Sequence, residues 1–151
     1  MQISRPDRLA RLFLLIDDDQ YSARFFTRKL TQLAGSGMDV DVQWFNSAEK
    51  GLTHLAVLAD EKAHEVQPDV IVVDLKSSSR ANLDFVRTAC TTIPNPQSAI
   101  VVFTAPLDAA RKAEIVEAGA HRVFERHSDF ERFNAELEDL LQFSMNRFRA
   151  A

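Results

Sequence analysis

At 151 residues, the chain has room for one domain with its own core and too little for two ordinary ones. Apolar residues at 46% and charged residues at 26% give the balance of a soluble globular protein. No stretch is long and apolar enough to span a membrane or to serve as a secretory signal, so a cytoplasmic location is expected. The net charge of -4 leaves no basic surplus for neutralising phosphates and argues against a nucleic-acid partner. A lone cysteine, Cys90, excludes an internal disulfide and a thiolate metal cluster.

Strand and helix signals alternate along the chain. Leu12-Phe13-Leu14-Leu15-Ile16 is an apolar run of the kind buried on both faces of a parallel sheet, and Asp17-Asp18-Asp19 stops it. Phe25, Phe26, Leu30 and Leu33 then recur at helical spacing, with Gly35 and Gly37 to end the helix. Val40, Val42 and Trp44 alternate with polar residues and predict a second strand. Asn46 with Glu49 reads as a capping box for a helix carrying Leu52, Leu55, Ala56 and Ala59. After Pro68, Val70-Ile71-Val72-Val73 is the strongest strand signal, and it ends at Asp74.

Leu83, Phe85, Val86 and Ala89 predict a third helix, and Pro94 and Pro96 a loop. Ala99 to Phe103 reads as a fourth strand ending at Thr104, and Gly119 as the close of a fourth helix. Val123 and Phe124 form a short fifth strand with Arg126 at its end. Phe130, Phe133, Leu137, Leu140 and Leu141 stripe the last helix. Five β-α units without a hairpin signal predict an α/β, flavodoxin-like (βα)5 fold with a five-stranded parallel sheet in the order 2-1-3-4-5. One domain is expected over 1–151, with a short N-terminal extension over 1–10 and the last helix running to about Arg149.

In such a sheet, functional groups gather beyond the carboxyl ends of the strands. Those ends carry Asp17, Asp18 and Asp19, then Asp74, Thr104 and Arg126. Carboxylates in one cleft repel each other unless a cation lies among them, and a few hard oxygen ligands favour Mg2+. Thr104 and Arg126 could then bind oxygens of a phosphoryl group on Asp74, an arrangement suited to phosphoryl transfer. Acidic loop residues are more often turn formers or helix caps, and Asp19 is expected to be one.

These residues resemble the motifs of bacterial response-regulator receiver domains, the CheY-like family, from about Leu12 to about Leu141. Leu14 to Asp19 is similar to the family's first strand and acidic pair, Pro68 to Leu75 to its acceptor strand, and Val101 to Ala105 to its fourth strand with the switch hydroxyl. Glu117 to Ala120 resembles the helix end before the fifth strand. The resemblance implies that Asp74 is the phosphoacceptor, that Asp18 binds Mg2+ directly with Asp17 assisting, and that the backbone carbonyl of Lys76 completes the metal's protein ligands. It makes Thr104 the switch hydroxyl, and a sensor histidine kinase or phosphotransfer protein the phosphodonor. A downstream protein partner would read the result. With no output domain expected after the receiver, the chain is expected to signal by contact rather than to act as an enzyme. Phe143, Met145 and Phe148 suggest a homodimer or partner surface on the final helix.

The chain departs from the family's pattern in three places. Ser77 to Asn82 replaces a segment that usually holds a proline and an Asp-Gly pair, with Asn82 tolerant of left-handed geometry. Arg126 stands in place of the usual lysine, and His127 in place of the proline after it. Val123 falls where an aromatic normally moves with the switch hydroxyl, with Phe124 on the opposite face. The alternatives are a pseudo-receiver that binds partners without phosphorylation, and a phosphatase resembling the haloacid dehalogenases with Asp17-x-Asp19 as its signature. His127 is expected to be a loop histidine, and His54, His64 and His121, which lack metal-ligand spacing, to be surface residues.

Overall fold

The computed structural model describes residues 9–60, 66–92 and 98–146. The expected Pro94–Pro96 loop, His64, Phe148 and the helix end near Arg149 lie outside these, as does most of the expected N-terminal extension. Among the described residues, five strands and five helices alternate: β1 (Leu9–Asp17), α1 (Gln20–Ala34), β2 (Met38–Phe45), α2 (Ala48–Ala59), β3 (Val70–Asp74), α3 (Ala81–Thr92), β4 (Ala99–Thr104), α4 (Ala109–Ala118), β5 (Arg122–Glu125) and α5 (Phe130–Asn146). All strand pairs are parallel, in the order β2-β1-β3-β4-β5. Because β3 sits beside β1 while β2 flanks its other edge, chain direction across the sheet reverses at β1, and a crevice opens there beyond the strand ends.

The central strands are uniformly apolar because helices cover both faces. Alternate side chains divide between two cores. Leu14, Ile16, Ile71, Val73, Ile100 and Val102 pack with Leu55 of α2, Phe85 and Val86 of α3 and Ile115 of α4. Phe13, Leu15, Val70, Val72, Val101, Phe103 and Phe124 pack on the opposite face with Phe26 and Leu30 of α1 and Leu137 and Leu140 of α5. Full burial of each such side chain stabilises the fold by roughly 1.5–3 kcal/mol. Asp69 ties the strands together at their amino ends: its Oδ2 accepts the Leu12 N–H at 2.7 Å and its carbonyl accepts from Ala99.

Four local expectations are revised. The first strand starts at Leu9, earlier than the apolar run, because β2 offers partners back to Met38. Ser47 rather than Asn46 caps α2, its Oγ accepting the Lys50 N–H at 3.1 Å. Asn82 lies in the first turn of α3, and no described residue other than glycine has positive φ. Phe143 and Met145 are half-buried against the second core, so they are not free surface groups beyond the core stripe. Gly119 does close α4, with φ 130° and a backbone N–H that reaches the carbonyls of Ile115 and Val116.

Candidate functional site

The β1–β3 register sets Asp17 directly opposite Asp74 at the carboxyl edge of the sheet. Both are buried, with 0% and 4% of their surface exposed. Asp17 is fixed from two sides: its Oδ1 accepts the Asp19 N–H at 2.9 Å, and its carbonyl accepts the indole N–H of Trp44 at 2.7 Å. Asp19 turns its own carboxylate to the start of α1, where it accepts from the N–H groups of Tyr21 and Ser22. It is a helix cap, as expected.

The side chain of Lys76 enters this crevice. Its ammonium lies 2.7 Å from Asp17 Oδ1, 3.2 Å from Asp74 Oδ1 and 3.2 Å from the Asp74 carbonyl oxygen. Its backbone N–H is held by the Asp18 carboxylate, at 3.0 and 3.1 Å from the two oxygens. Asp18 is thereby directed to the Lys76 backbone, and Asp17 and Asp74 form the inner pair. Among the described residues no group of three His, Cys, Asp or Glu side chains converges as a metal site. The inner pair nevertheless offers hard oxygens with unmet bonding capacity: Asp17 Oδ2 and Asp74 Oδ1 are buried without a hydrogen-bond donor. The donor chemistry fits Mg2+ once the ammonium withdraws.

Arg126 supplies a second positive charge. Its Nε lies 3.2 Å from Asp74 Oδ1, within ion-pair distance but not aligned as a hydrogen bond. Burial raises the Asp74 pKa from 3.8 to about 6, and the charges of Lys76 and Arg126 hold it down only in part. Arg126, His127, Ser22, Phe26 and Asp74 line a hollow of about 200 Å³. His127 Nε2 is 3.9 Å from Glu136 Oε1 on α5, so the imidazole has a carboxylate neighbour of its own.

Thr104 ends β4, buried, and lines a cavity of about 220 Å³ with Asn82, Leu107, Arg111 and Ile115. Asn82 links the strand ends: its Oδ1 accepts the Leu75 N–H at 2.8 Å and its Nδ2 donates to the Phe103 carbonyl at 3.4 Å. In β5 the side chains divide as anticipated. Val123 packs against the core under α2, α3 and α4, while Phe124 is buried on the other face, stacked on Phe103 with centroids 5.0 Å apart. His54 stacks on Phe45 and is half-buried, not a surface residue. His121 is exposed, and its Nδ1 accepts the Ile100 N–H.

Two participants are not foreseen from sequence. Lys76 is expected to contribute only its backbone carbonyl, although a lysine two residues past a buried acid has an ammonium within reach of it. Asn82 is expected in a loop; the polar side chain opening an otherwise apolar helix stripe is the signal that could have placed it.

No family model and no curated relative matches the chain. Solved structures do. A response-regulator receiver domain from Rhodospirillum rubrum is similar with a TM-score of 0.70 at 18% identity, covering 89% of this chain and 94% of that one. The phosphorylated cyanobacterial phytochrome response regulator RcpA aligns with a TM-score of 0.67 at 12% identity over 90% and 94% of the two chains. A response regulator from Burkholderia pseudomallei, whose structure holds a phosphorylated aspartic acid, a calcium ion and citrate, aligns with a TM-score of 0.61 at 21% identity. It covers 89% of this chain and 72% of that one. The chain has the fold of a CheY-like receiver domain, matched over nearly its whole length.

Proposed function

We infer that the chain is a phosphoacceptor signalling module in which Asp74 receives a phosphoryl group from a sensor histidine kinase or phosphotransfer protein. The observation that carries this reading is the buried Asp74 carboxylate, opposite Asp17, with an Oδ1 that has two cations at 3.2 Å and no aligned donor. In the transfer, a carboxylate oxygen of Asp74 forms a bond to phosphorus as the phosphorus–nitrogen bond of the donor phosphohistidine breaks. The departing imidazole keeps the bonding pair and takes up a proton. Arg126 neutralises charge gathering on the phosphoryl oxygens, where positioning and electrostatics supply most of the rate. Thr104, at the end of the neighbouring strand β4, would donate to one of those oxygens. Mg2+, when held by Asp17, Asp18, Asp74 and the Lys76 carbonyl, would supply further positive charge to the same oxygens.

The output would pass by protein contact to a downstream partner. A homodimer through the C-terminal helix would use the outer side of α5, where Arg132, Glu138 and Gln142 are exposed. The pseudo-receiver alternative is favoured by one feature, the separation of Val123 from Phe124, which leaves Thr104 without an aromatic partner on its side. The phosphatase alternative is disfavoured because Asp19, its required second acid, is committed to capping α1. Incubation with acetyl phosphate and Mg2+, followed by intact-mass measurement, should add one phosphoryl group that Asp74→Asn abolishes. No adduct on the wild-type chain sinks the proposal, and an adduct that maps to Asp17 supports the phosphatase instead.

A further inference from the structure

Lys76 has more to do in this pocket than lend a backbone carbonyl. An ammonium has three N–H bonds, and three oxygens surround this one: Asp17 Oδ1, Asp74 Oδ1 and the Asp74 carbonyl, all within 3.2 Å. The same residue's backbone N–H occupies the carboxylate of Asp18. One lysine therefore engages all three acids expected to surround a divalent cation. The ammonium stands among the oxygens that such a cation would need, and two cations cannot share them. We propose that Lys76 is a tethered cation that fills the metal position of this pocket, so that a divalent ion binds only by displacing it. This rests on reading the pocket as one that can take a divalent ion, and it goes further by naming the chain's own competitor for it.

Asp17, with 0% exposure, faces Asp74 across paired strands, and two buried carboxylates so placed need positive charge between them. With Lys76 present, the carboxylate pair keeps a counter-ion without metal, so the fold does not depend on the ion. The lysine side chain is 23% exposed at the end of a flexible stem, which gives it a route out toward solvent. Arg126 cannot do the same work, because it reaches Asp74 from the β5 side and makes no contact with Asp17 within ion-pair distance. The metal threshold is therefore a property of Lys76 specifically. Phosphorylation would then be permitted only where divalent ion is plentiful enough to expel the ammonium.

Trp44, the chain's single tryptophan, donates its indole N–H to the Asp17 carbonyl and reports on this corner. Mg2+ and Mn2+ titrations of the wild-type chain, Lys76→Met, Lys76→Gln and Lys76→Arg can be followed by Trp44 emission and by calorimetry. The two neutral variants should bind with midpoints at least about tenfold lower than the wild type, and Lys76→Arg should stay near the wild type. In chelator, the neutral variants should melt below the wild type and recover on adding Mg2+, because the carboxylate pair has lost its counter-ion. Equal midpoints across the series, or no saturable binding by either neutral variant, would overturn the proposal. Failure of acetyl phosphate to modify Asp74 in a neutral variant saturated with Mg2+ would refute the phosphoacceptor reading instead, leaving the metal competition standing.

Discussion

Replacing Asp74 with asparagine should stabilise the metal-free protein at neutral and alkaline pH, although it removes the central group of the site. The reason is the pKa of about 6 for a carboxyl whose ordinary value is 3.8. Both folded and unfolded chains hold the proton well below 3.8, so the two proteins differ little there. As the pH rises toward 6, the unfolded chain releases its proton while the folded chain retains it, and wild-type stability falls. Above about 6 the folded chain is also ionised and the loss is complete. At ~1.4 kcal/mol per tenfold, the span from 3.8 to about 6 corresponds to about 3 kcal/mol. The asparagine amide has a similar shape and carries no charge, so it escapes this loss. Because Asp74 is only 4% exposed, solvent screening takes little from that figure.

Urea unfolding in chelator at a series of pH values measures this directly. The advantage of Asp74→Asn should be roughly half as large at pH 5 as at pH 8, where it reaches about 3 kcal/mol. For a chain of this size, that is a melting temperature higher by roughly 6–12 °C at pH 8. A stability difference that does not change between pH 5 and pH 8, or an asparagine variant less stable at pH 8, would refute the reasoning. Either result would mean that Lys76 and Arg126 compensate the buried charge in full.

Gly119→Ala should cost roughly 2–4 kcal/mol in urea unfolding, since φ is 130° and the new Cβ would lie 2.2 Å from Cys90 Sγ. Adding Cys90→Ala should return the part of that loss due to the clash and leave the part due to φ. Asn82→Ala should lower stability by about 1–3 kcal/mol, because the Leu75 N–H and the Phe103 carbonyl both lose their side-chain partner in a buried setting. Asp19→Ala should cost about 1 kcal/mol in thermal unfolding through loss of the α1 cap, yet keep acetyl phosphate labelling of Asp74. Loss of labelling with unchanged stability would instead point to chemistry at Asp19.

The fold was legible because its signals are redundant. Val70 to Val73 and Ala99 to Phe103 are apolar at every position, a pattern that two covered faces demand, and Gly35 and Gly119 mark helix ends with positive φ. The strand-end acids were legible for the same reason, as strand order alone makes β1 and β3 neighbours and brings the acids at their carboxyl ends to one edge of the sheet. What escaped was the direction of side chains in the β3–α3 connection. Periodicity says nothing there, and whether Lys76 points to solvent or folds back over Asp17 depends on the loop's path and on the charge waiting inside. Asp18 escaped likewise: its neighbour in space, the Lys76 N–H, is 58 positions away in sequence. At the end of α5, Phe143 and Met145 continue to face the second core one turn beyond Leu140 and Leu141, which periodicity alone does not separate from a surface patch.

The same geometry bears on how a phosphorylated Asp74 could be sensed. Phe124 is buried against Phe103 in the core under α1 and α5, whereas Thr104 lines the cavity beside α3 and α4. A movement of the Thr104 hydroxyl toward Asp74 therefore has no ring behind it to draw inward, and Val123 is too small to swing between two positions. The cations are better placed to transmit the change. Arg126 begins the connection from β5 to α5, and Lys76 lies in the connection from β3 to α3. New anionic oxygens on Asp74 would draw Arg126 inward while the divalent ion holds Lys76 out, and each residue is joined to a helix through a few positions. Next to Arg126, His127 faces Glu136 on α5, so a shift of this loop reaches that helix by direct contact. On the proposed reading, readout runs through the two connections that carry the cations, and Arg126→Lys, which keeps the charge but loses the planar fork, is the substitution that should separate acceptance from output. Asp74 labelling should persist in that variant while hydrogen exchange in the first turn of α5 no longer responds to it; an unaltered exchange response would return the readout to Thr104.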